Sequence, residues 1–195
     1  MQLERHSRYQ SGVTMLEVLI AIVIVSIGLL GLAGLFSFAG KAELESYQRI
    51  QALSYLKDME DRIATNRRVA ACYVSVNFGG HGTLPNCTAG TTEQQAVANA
   101  DFAAWNAALL GAAERTASSA NAGGIVGARG CVQLIGTATL GSPVVVRDYR
   151  VSVAWQGMED SSPPSADYGD CGAADYAAVP GRRRVVSSIL RIPEL

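Results

Sequence analysis

The chain has 195 residues, a length that suits one modest globular domain and a long helix. Its 16 basic and 17 acidic residues give a net charge of −1, so the overall charge provides no argument for a nucleic-acid partner. Apolar residues make up 49% of the chain, a fraction raised by one long apolar segment near the start.

The first twelve residues form a short polar segment that contains Arg5, His6 and Arg8 but only one acidic residue, Glu4. A basic flank of this kind stays on the cytoplasmic side of a membrane. An ordinary secretory signal has a shorter apolar stretch followed by a small-residue cleavage site. Here the apolar run is longer, and no such site follows it closely.

An uninterrupted apolar segment, residues 18–36, is long enough to cross a bilayer, and Glu17 stands at its entrance. An acidic side chain deep in the hydrocarbon core costs about 2.5–3.5 kcal/mol, so it requires an explanation. Charge and position alone favour a carboxylate at the headgroup level or in the first turn of a helix, near the positive end of the dipole.

Residues 12–17, Gly-Val-Thr-Met-Leu-Glu, followed by this apolar run, resemble the class III signal of the type IV pilin superfamily. In that family a prepilin peptidase cuts after the glycine and methylates the new N-terminus. The resemblance implies cleavage between Gly12 and Val13, N-methylation of Val13, where the family usually has Phe, and Glu17 as the assembly carboxylate. Glu17 would pair with the terminal amine of a neighbouring subunit, because a buried carboxylate is tolerated only when it is paired.

The helix is predicted to continue beyond the membrane, since residues 41–68 contain no Pro or Gly and many strong helix formers. The predicted organisation is a leader peptide at 1–12, a transmembrane and filament-core half of the helix at 13–40, an amphipathic half at 41–68 and a periplasmic globular domain at 69–195.

Two groups of apolar side chains lie along the amphipathic half of the helix. The later group shares one face and is predicted to pack on the domain: Ala42, Ala52, Leu53, Leu56, Met59, Ile63 and Ala64. The other group, Leu44, Tyr47, Ile50 and Tyr55, lies elsewhere on the helix. It either contacts neighbouring helices in a filament or is buried against a second side of the same domain.

The fold class is predicted as α+β, with the long N-terminal helix packed on a small antiparallel sheet, as in pilins. A second helix is expected at 96–115, with Asp101 as its N-cap or first-turn acid. Strands are expected at 129–135, 144–155 and 182–192, and residues 73–78 alternate weakly.

Within these strands, two details are predicted. In 144–155 the apolar positions from Tyr149 to Trp155 alternate against Arg150, Ser152 and Ala154 on the opposite face. The cluster of three arginines at 182–184 is interpreted as a solvated turn.

Four cysteines follow the apolar span, in the part of the chain that the basic flank assigns to the periplasm, and they predict disulfides. Four cysteines allow three connectivities. The pairs Cys72–Cys87 and Cys131–Cys171 are favoured because neighbours in sequence more often meet.

No metal, no cofactor and no catalytic residue is predicted. The chain has neither a CxxC pair nor a His-x-x-His, and its acidic residues around Cys171 (Asp167, Asp170 and Asp175) do not fit EF-hand spacing. With only His6 and His81, no nucleophile has a credible histidine base.

Three later segments, 101–105, 151–155 and 183–186, together with the length and the four cysteines, resemble the minor pilins known as type IV pilus modification protein PilV. The resemblance implies a single-pass inner-membrane protein that enters a pilus, near its tip, and takes part in priming its assembly. The implied partners are other minor and major pilins, the prepilin peptidase, the inner membrane and a tip adhesin, with adhesion and motility as the pilus activities.

Two alternatives remain open at the level of sequence. A minor pseudopilin of a type II secretion system shares the signal and the helix. A membrane-tethered periplasmic enzyme or binding protein is the alternative from a different class.

Overall fold

A computed structural model describes residues 12–78, 87–139 and 145–193. The predicted leader therefore lies outside the described residues except for Gly12, and so does His81. The chain divides into two compact units, Met1–Glu43 and Leu44–Leu195.

Helix α1 spans Met15–Thr65, 51 residues, and is continuous, as the absence of proline predicts. It ends three residues before the predicted limit, since residues Arg67–Tyr73 form a tighter 3₁₀ segment. Within that segment Val69 departs from helical dihedrals, with φ −119°, and is buried. The chain therefore leaves the α-helical conformation in this partly buried segment, which the run of helix-forming residues does not predict.

Four antiparallel strands form one sheet in chain order: β1 Ser75–Phe78, β2 Arg129–Thr139, β3 Val145–Gln156 and β4 Arg183–Pro193. The long pairing of β3 with β4 runs in unbroken register from Val146 opposite Pro193 to Gln156 opposite Arg183. The predicted α+β class, a long N-terminal helix with a small antiparallel sheet, is confirmed.

The core of the second unit lies between the helices and one face of the sheet. Helix α1 contributes Ala52, Leu56, Met59 and Ile63. The other predicted positions of that face, Ala42, Leu53 and Ala64, are exposed. Sheet residues from Val132 to Trp155 complete the same cluster.

Helix α2 spans Thr92–Leu109, and the prediction that Asp101 begins it is wrong. Thr91 is the N-cap and forms a capping box with Gln94, which satisfies the first backbone amides ten residues upstream of Asp101. The Asp101 carboxylate instead accepts hydrogen bonds from Arg62 Nη1, at 2.8 Å, and from the Tyr73 hydroxyl.

Strand β3 is buried on both faces at this end, since Ser152 and Ala154, on the face opposite Val151 and Val153, are 1% and 0% exposed. The segment between β3 and β4 covers the second face. Its Cys171 packs with Ala154 and Cys131 in a small separate cluster.

The three arginines at the start of β4 are not a solvated turn. Arg183 is buried and donates to the Cys171 carbonyl at 2.8 Å. Arg184 pairs with Glu45 of α1 at 2.8 Å, and Arg182 pairs with Asp160 at 3.2 Å. Each guanidinium therefore ties β4 to a different part of the unit.

Two disulfides join the cysteines, and they are the pairs that sequence neighbourhood favours. Cys72 and Cys87 have a Cα–Cα distance of 4.8 Å, and Cys131 and Cys171 one of 5.7 Å. The first links the 3₁₀ segment after α1 to the residues that precede α2, and the second holds the β3–β4 connection against β2.

Candidate processing and assembly site

The peptide bond between Gly12 and Val13 lies in an exposed segment without regular secondary structure, immediately before α1. Val13 is 70% exposed. Apart from its chain neighbours, no atom of the described residues lies within 4 Å of the position that a side chain at Gly12 would occupy. Gly12 and Val13 are therefore exposed in the part of the chain that the structure describes.

Thr14 caps the first turn of α1. Its Oγ1 accepts a hydrogen bond from the Glu17 backbone N–H at 3.3 Å, and its carbonyl accepts one from the Val18 N–H at 3.3 Å. A side-chain oxygen at this position satisfies an amide that has no partner inside the helix. Sequence reasoning missed this role of Thr14, although the spacing Thr-x-x-Glu, typical of a capping box, indicates it.

Glu17 is the acidic residue of the first turn of α1 and is exposed. Its carboxylate makes no ion pair and no hydrogen bond with any residue that the structure describes. The amide dipoles of the first turn stabilise a negative charge at this position. This is the local environment that charge and position alone predicted, and it leaves the carboxylate available to a partner outside the chain.

Val13, just before α1, and Glu17, in the first turn of α1, line the same surface strip. Ala21 and Val25 also line this shallow strip of about 470 Å³. Ser26, on the same strip, donates to the Ile22 carbonyl at 2.7 Å, so its hydroxyl is satisfied within the helix. The strip is therefore apolar along its length, with one carboxylate at its start.

The apolar part of α1 is exposed throughout. Leu30 and Phe36, for example, are 74% and 73% exposed. By length and composition α1 is able to cross a membrane, and none of its most apolar window is buried. Apolar surface in water costs roughly 25 cal/mol per Å², so this surface requires a bilayer or other helices around it.

Within the described ranges, no group of three or more His, Cys, Asp or Glu side chains is placed to hold a metal ion. Asp175, one of the acidic residues near Cys171, pairs with Arg129 at 3.0 Å. The Asp175 carboxylate therefore neutralises the Arg129 guanidinium.

The family profile described as the prokaryotic N-terminal methylation motif matches residues 7–33. The match includes Gly12, Val13 and Glu17 and the first part of α1. It supports a type IV pilin-like or pseudopilin subunit, and such a motif implies processing by prepilin peptidase and assembly with other pilins. Motif and fold together suggest a structural subunit rather than an enzyme. No curated protein and no solved structure matches the chain significantly.

Proposed function

We propose that this protein is a minor pilin of the PilV type that takes part in priming the assembly of a type IV pilus near its tip. The observation that supports the proposal most is the methylation motif over residues 7–33, placed where an exposed apolar helix begins with Glu17 in its first turn. A single-pass inner-membrane form with the second unit in the periplasm would precede the filament form.

In this proposal the bond between Gly12 and Val13 is cut by prepilin peptidase, and Val13 becomes the methylated N-terminus. The exposure of Gly12 and Val13, which precede the first helical turn, supports access to that bond. Cleavage creates a cationic amine at Val13, directly before the capped first turn. The remaining helix stays apolar and serves first as the anchor and then as the packing helix.

Glu17 would pair with the Val13 amine of a neighbouring subunit. Removing a carboxylate from water costs several kcal/mol unless an opposite charge and hydrogen bonds compensate it. No described residue of the same chain supplies that charge, which supports a partner in a neighbouring subunit. A pair of this kind sets the axial register of two helices, because a shift of one subunit separates the charges.

The exposed apolar side chains at the start of the second unit support contacts with further helices. Leu44, Tyr47 and Ile50 are 52%, 61% and 67% exposed. These three side chains lie outside the core of their own unit, whereas Tyr55, the fourth member of the predicted group, is half-buried and packs against that core. The first three residues therefore support contacts with other helices, and Tyr55 supports contact with the chain's own domain. Major pilins and other minor pilins are the partners proposed for this surface, and a tip adhesin for the assembled complex.

The substitution Glu17→Ala tests the assembly role. We expect N-terminal sequencing to find Val13 first in both the wild type and the variant, because the cleavage bond is unchanged. Incorporation of the variant into sheared pili should fall by about tenfold or more, the effect of about 1.4 kcal/mol of lost pairing energy.

The matched control is Glu43→Ala, which removes an exposed carboxylate from the same helix beyond the apolar segment. It should enter pili at the wild-type level. Normal incorporation of Glu17→Ala would refute the pairing role, and a mature protein that still begins at Met1 would refute the pilin-like function itself. Recovery of the protein in secretion pseudopili instead of pili would assign it to the pseudopilins.

A further inference from the structure

The second unit contains a cavity of about 590 Å³ whose lining includes three arginines. Arg67 and Arg68 come from the 3₁₀ segment after α1, and Arg147 comes from β3. Small residues, Ala70, Ala71, Ala89 and Gly90, form another part of the wall. A volume of this size is typical of small-molecule sites, which span about 300–1,000 Å³.

The walls of this cavity supply no counter-charge to Arg67 and Arg68. No Asp or Glu is among its lining residues. Arg67 and Arg68 are exposed, and neither pairs with a carboxylate or forms a side-chain hydrogen bond within the described parts of the chain. Several other arginines of the same unit do pair with carboxylates: Arg62, Arg129, Arg182, Arg184 and Arg191.

We propose that this cavity binds a small multivalent oxyanion, a phosphate ester or a polycarboxylate. The guanidinium groups of Arg67 and Arg68 line the same cavity and repel each other, and an anion beside them reduces that repulsion. Arginine, with its planar fork of donors, suits phosphate and carboxylate oxygens better than a point charge does. The small wall residues leave room for the body of such a ligand.

The alternative to a bound anion in this cavity is a carboxylate of the chain itself. The neighbouring sequence at 79–86 and 140–144 contains no acidic residue, so neither stretch can supply a counter-charge. Glu194, which directly follows the lining residue Pro193, is the nearest acidic residue in sequence to this part of the wall. The test therefore includes this carboxylate.

The test is calorimetric titration of the full-length chain, in neutral detergent micelles at physiological ionic strength, with inorganic phosphate and separately with citrate. We expect one equivalent of at least one of the two anions to bind. The double variant Arg67→Gln/Arg68→Gln should bind it about tenfold more weakly or worse, a loss of about 1.4 kcal/mol. Both side chains are exposed, so the variant should unfold at the wild-type temperature.

The matched control is Arg115→Gln, which removes an exposed arginine outside the cavity. It should keep the wild-type affinity. Failure of the wild type to bind either anion, or equal weakening by Arg115→Gln, would overturn the proposal. Binding that appears only in Glu194→Gln would also overturn it, because the cavity would then belong to the chain's own carboxylate. The readout does not involve assembly, so its failure is distinct from failure of the proposed function.

Discussion

Two buried aromatic side chains of the second unit, Tyr176 and Trp105, have specific acceptors for their polar atoms. The Tyr176 hydroxyl donates to the Gly127 carbonyl at 2.6 Å, and Trp105 Nε1 donates to the Tyr55 carbonyl at 2.9 Å. An unsatisfied buried donor costs about 1–3 kcal/mol, so these bonds restrict where each ring can lie. Tyr176 thereby holds the β3–β4 connection against the segment that precedes β2.

Because Tyr176 is buried, the stability of the fold changes with pH in the alkaline range. Burial raises the pKa of Tyr176 from 10.0 to about 12. A raised pKa in the folded state contributes stability that is complete below pH 10 and is lost as the pH rises through 12. We expect the free energy of unfolding of Tyr176→Phe to fall less steeply than that of the wild type over this window, by up to about 1.4 kcal/mol per pH unit.

Urea unfolding at a series of pH values measures this difference. Burial also raises the pKa of Tyr73, so part of the slope remains in the variant. Tyr168→Phe is the control because the ring of Tyr168 is 45% exposed. Identical slopes for the wild type and Tyr176→Phe would contradict the prediction.

At the scale of elements, the contact of α2 with β2 depends on a strand residue without a side chain. A Cβ at Gly130 would lie 2.2 Å from Trp105 Cη2 and 2.9 Å from Leu109 Cδ1. Both contacts are shorter than real carbon contacts. Gly130 therefore permits the large ring of α2 to lie directly on the backbone of β2.

The substitution Gly130→Ala should lower the free energy of unfolding by about 1–3 kcal/mol, because it overpacks this contact. Gly136→Ala is a matched control in the same strand, since its Cβ would meet Asp148 at ordinary distances of 3.7 and 3.8 Å. Urea unfolding should show little loss for the control. Equal losses for the two variants would assign the effect to the strand backbone and not to Trp105.

The elements differ in how far sequence could predict them. Alternation in β3 and β4 located both strands to within a residue, because period-two patterns follow directly from strand geometry. The start of α2 was missed because Asp101 resembles a cap, and its true partners, Arg62 and Tyr73, lie 39 and 28 residues away. The burial of Ser152 depends on a loop whose path no local pattern reveals.

The residues of the candidate sites also differ in how far the sequence could predict them. The spacing from Gly12 to Glu17, read as a family resemblance, was sufficient to nominate the processing and assembly residues. The cap at Thr14 is a local feature and was visible in principle. The arginine cavity could not be predicted from the sequence, because Arg67 and Arg147 are far apart in the chain and line one cavity only in the folded protein.

At the scale of the whole molecule, two disulfide bonds cross-link the chain within the second unit. The disulfides join cysteines 15 and 40 residues apart. A cross-link lowers the entropy of the unfolded chain, and the effect grows slowly with the length of the closed loop.

Removing each bond by paired Cys→Ala substitutions should lower the free energy of unfolding by about 2–4 kcal/mol. The larger loss is expected for Cys131→Ala/Cys171→Ala, because that bond closes the longer loop. Urea unfolding of the full chain in micelles compares the two. A larger loss from Cys72→Ala/Cys87→Ala would contradict the loop-length argument.

The order of strands in the sheet has a consequence for biosynthesis. Every strand after β1 pairs with the strand that precedes it in the chain. During synthesis, which proceeds at about 5–20 residues per second, each new strand therefore emerges after its partner already exists. No early strand has to remain exposed until a distant one is made. The sheet can thus grow by one strand at a time in the order of translation, with β4 added last onto β3.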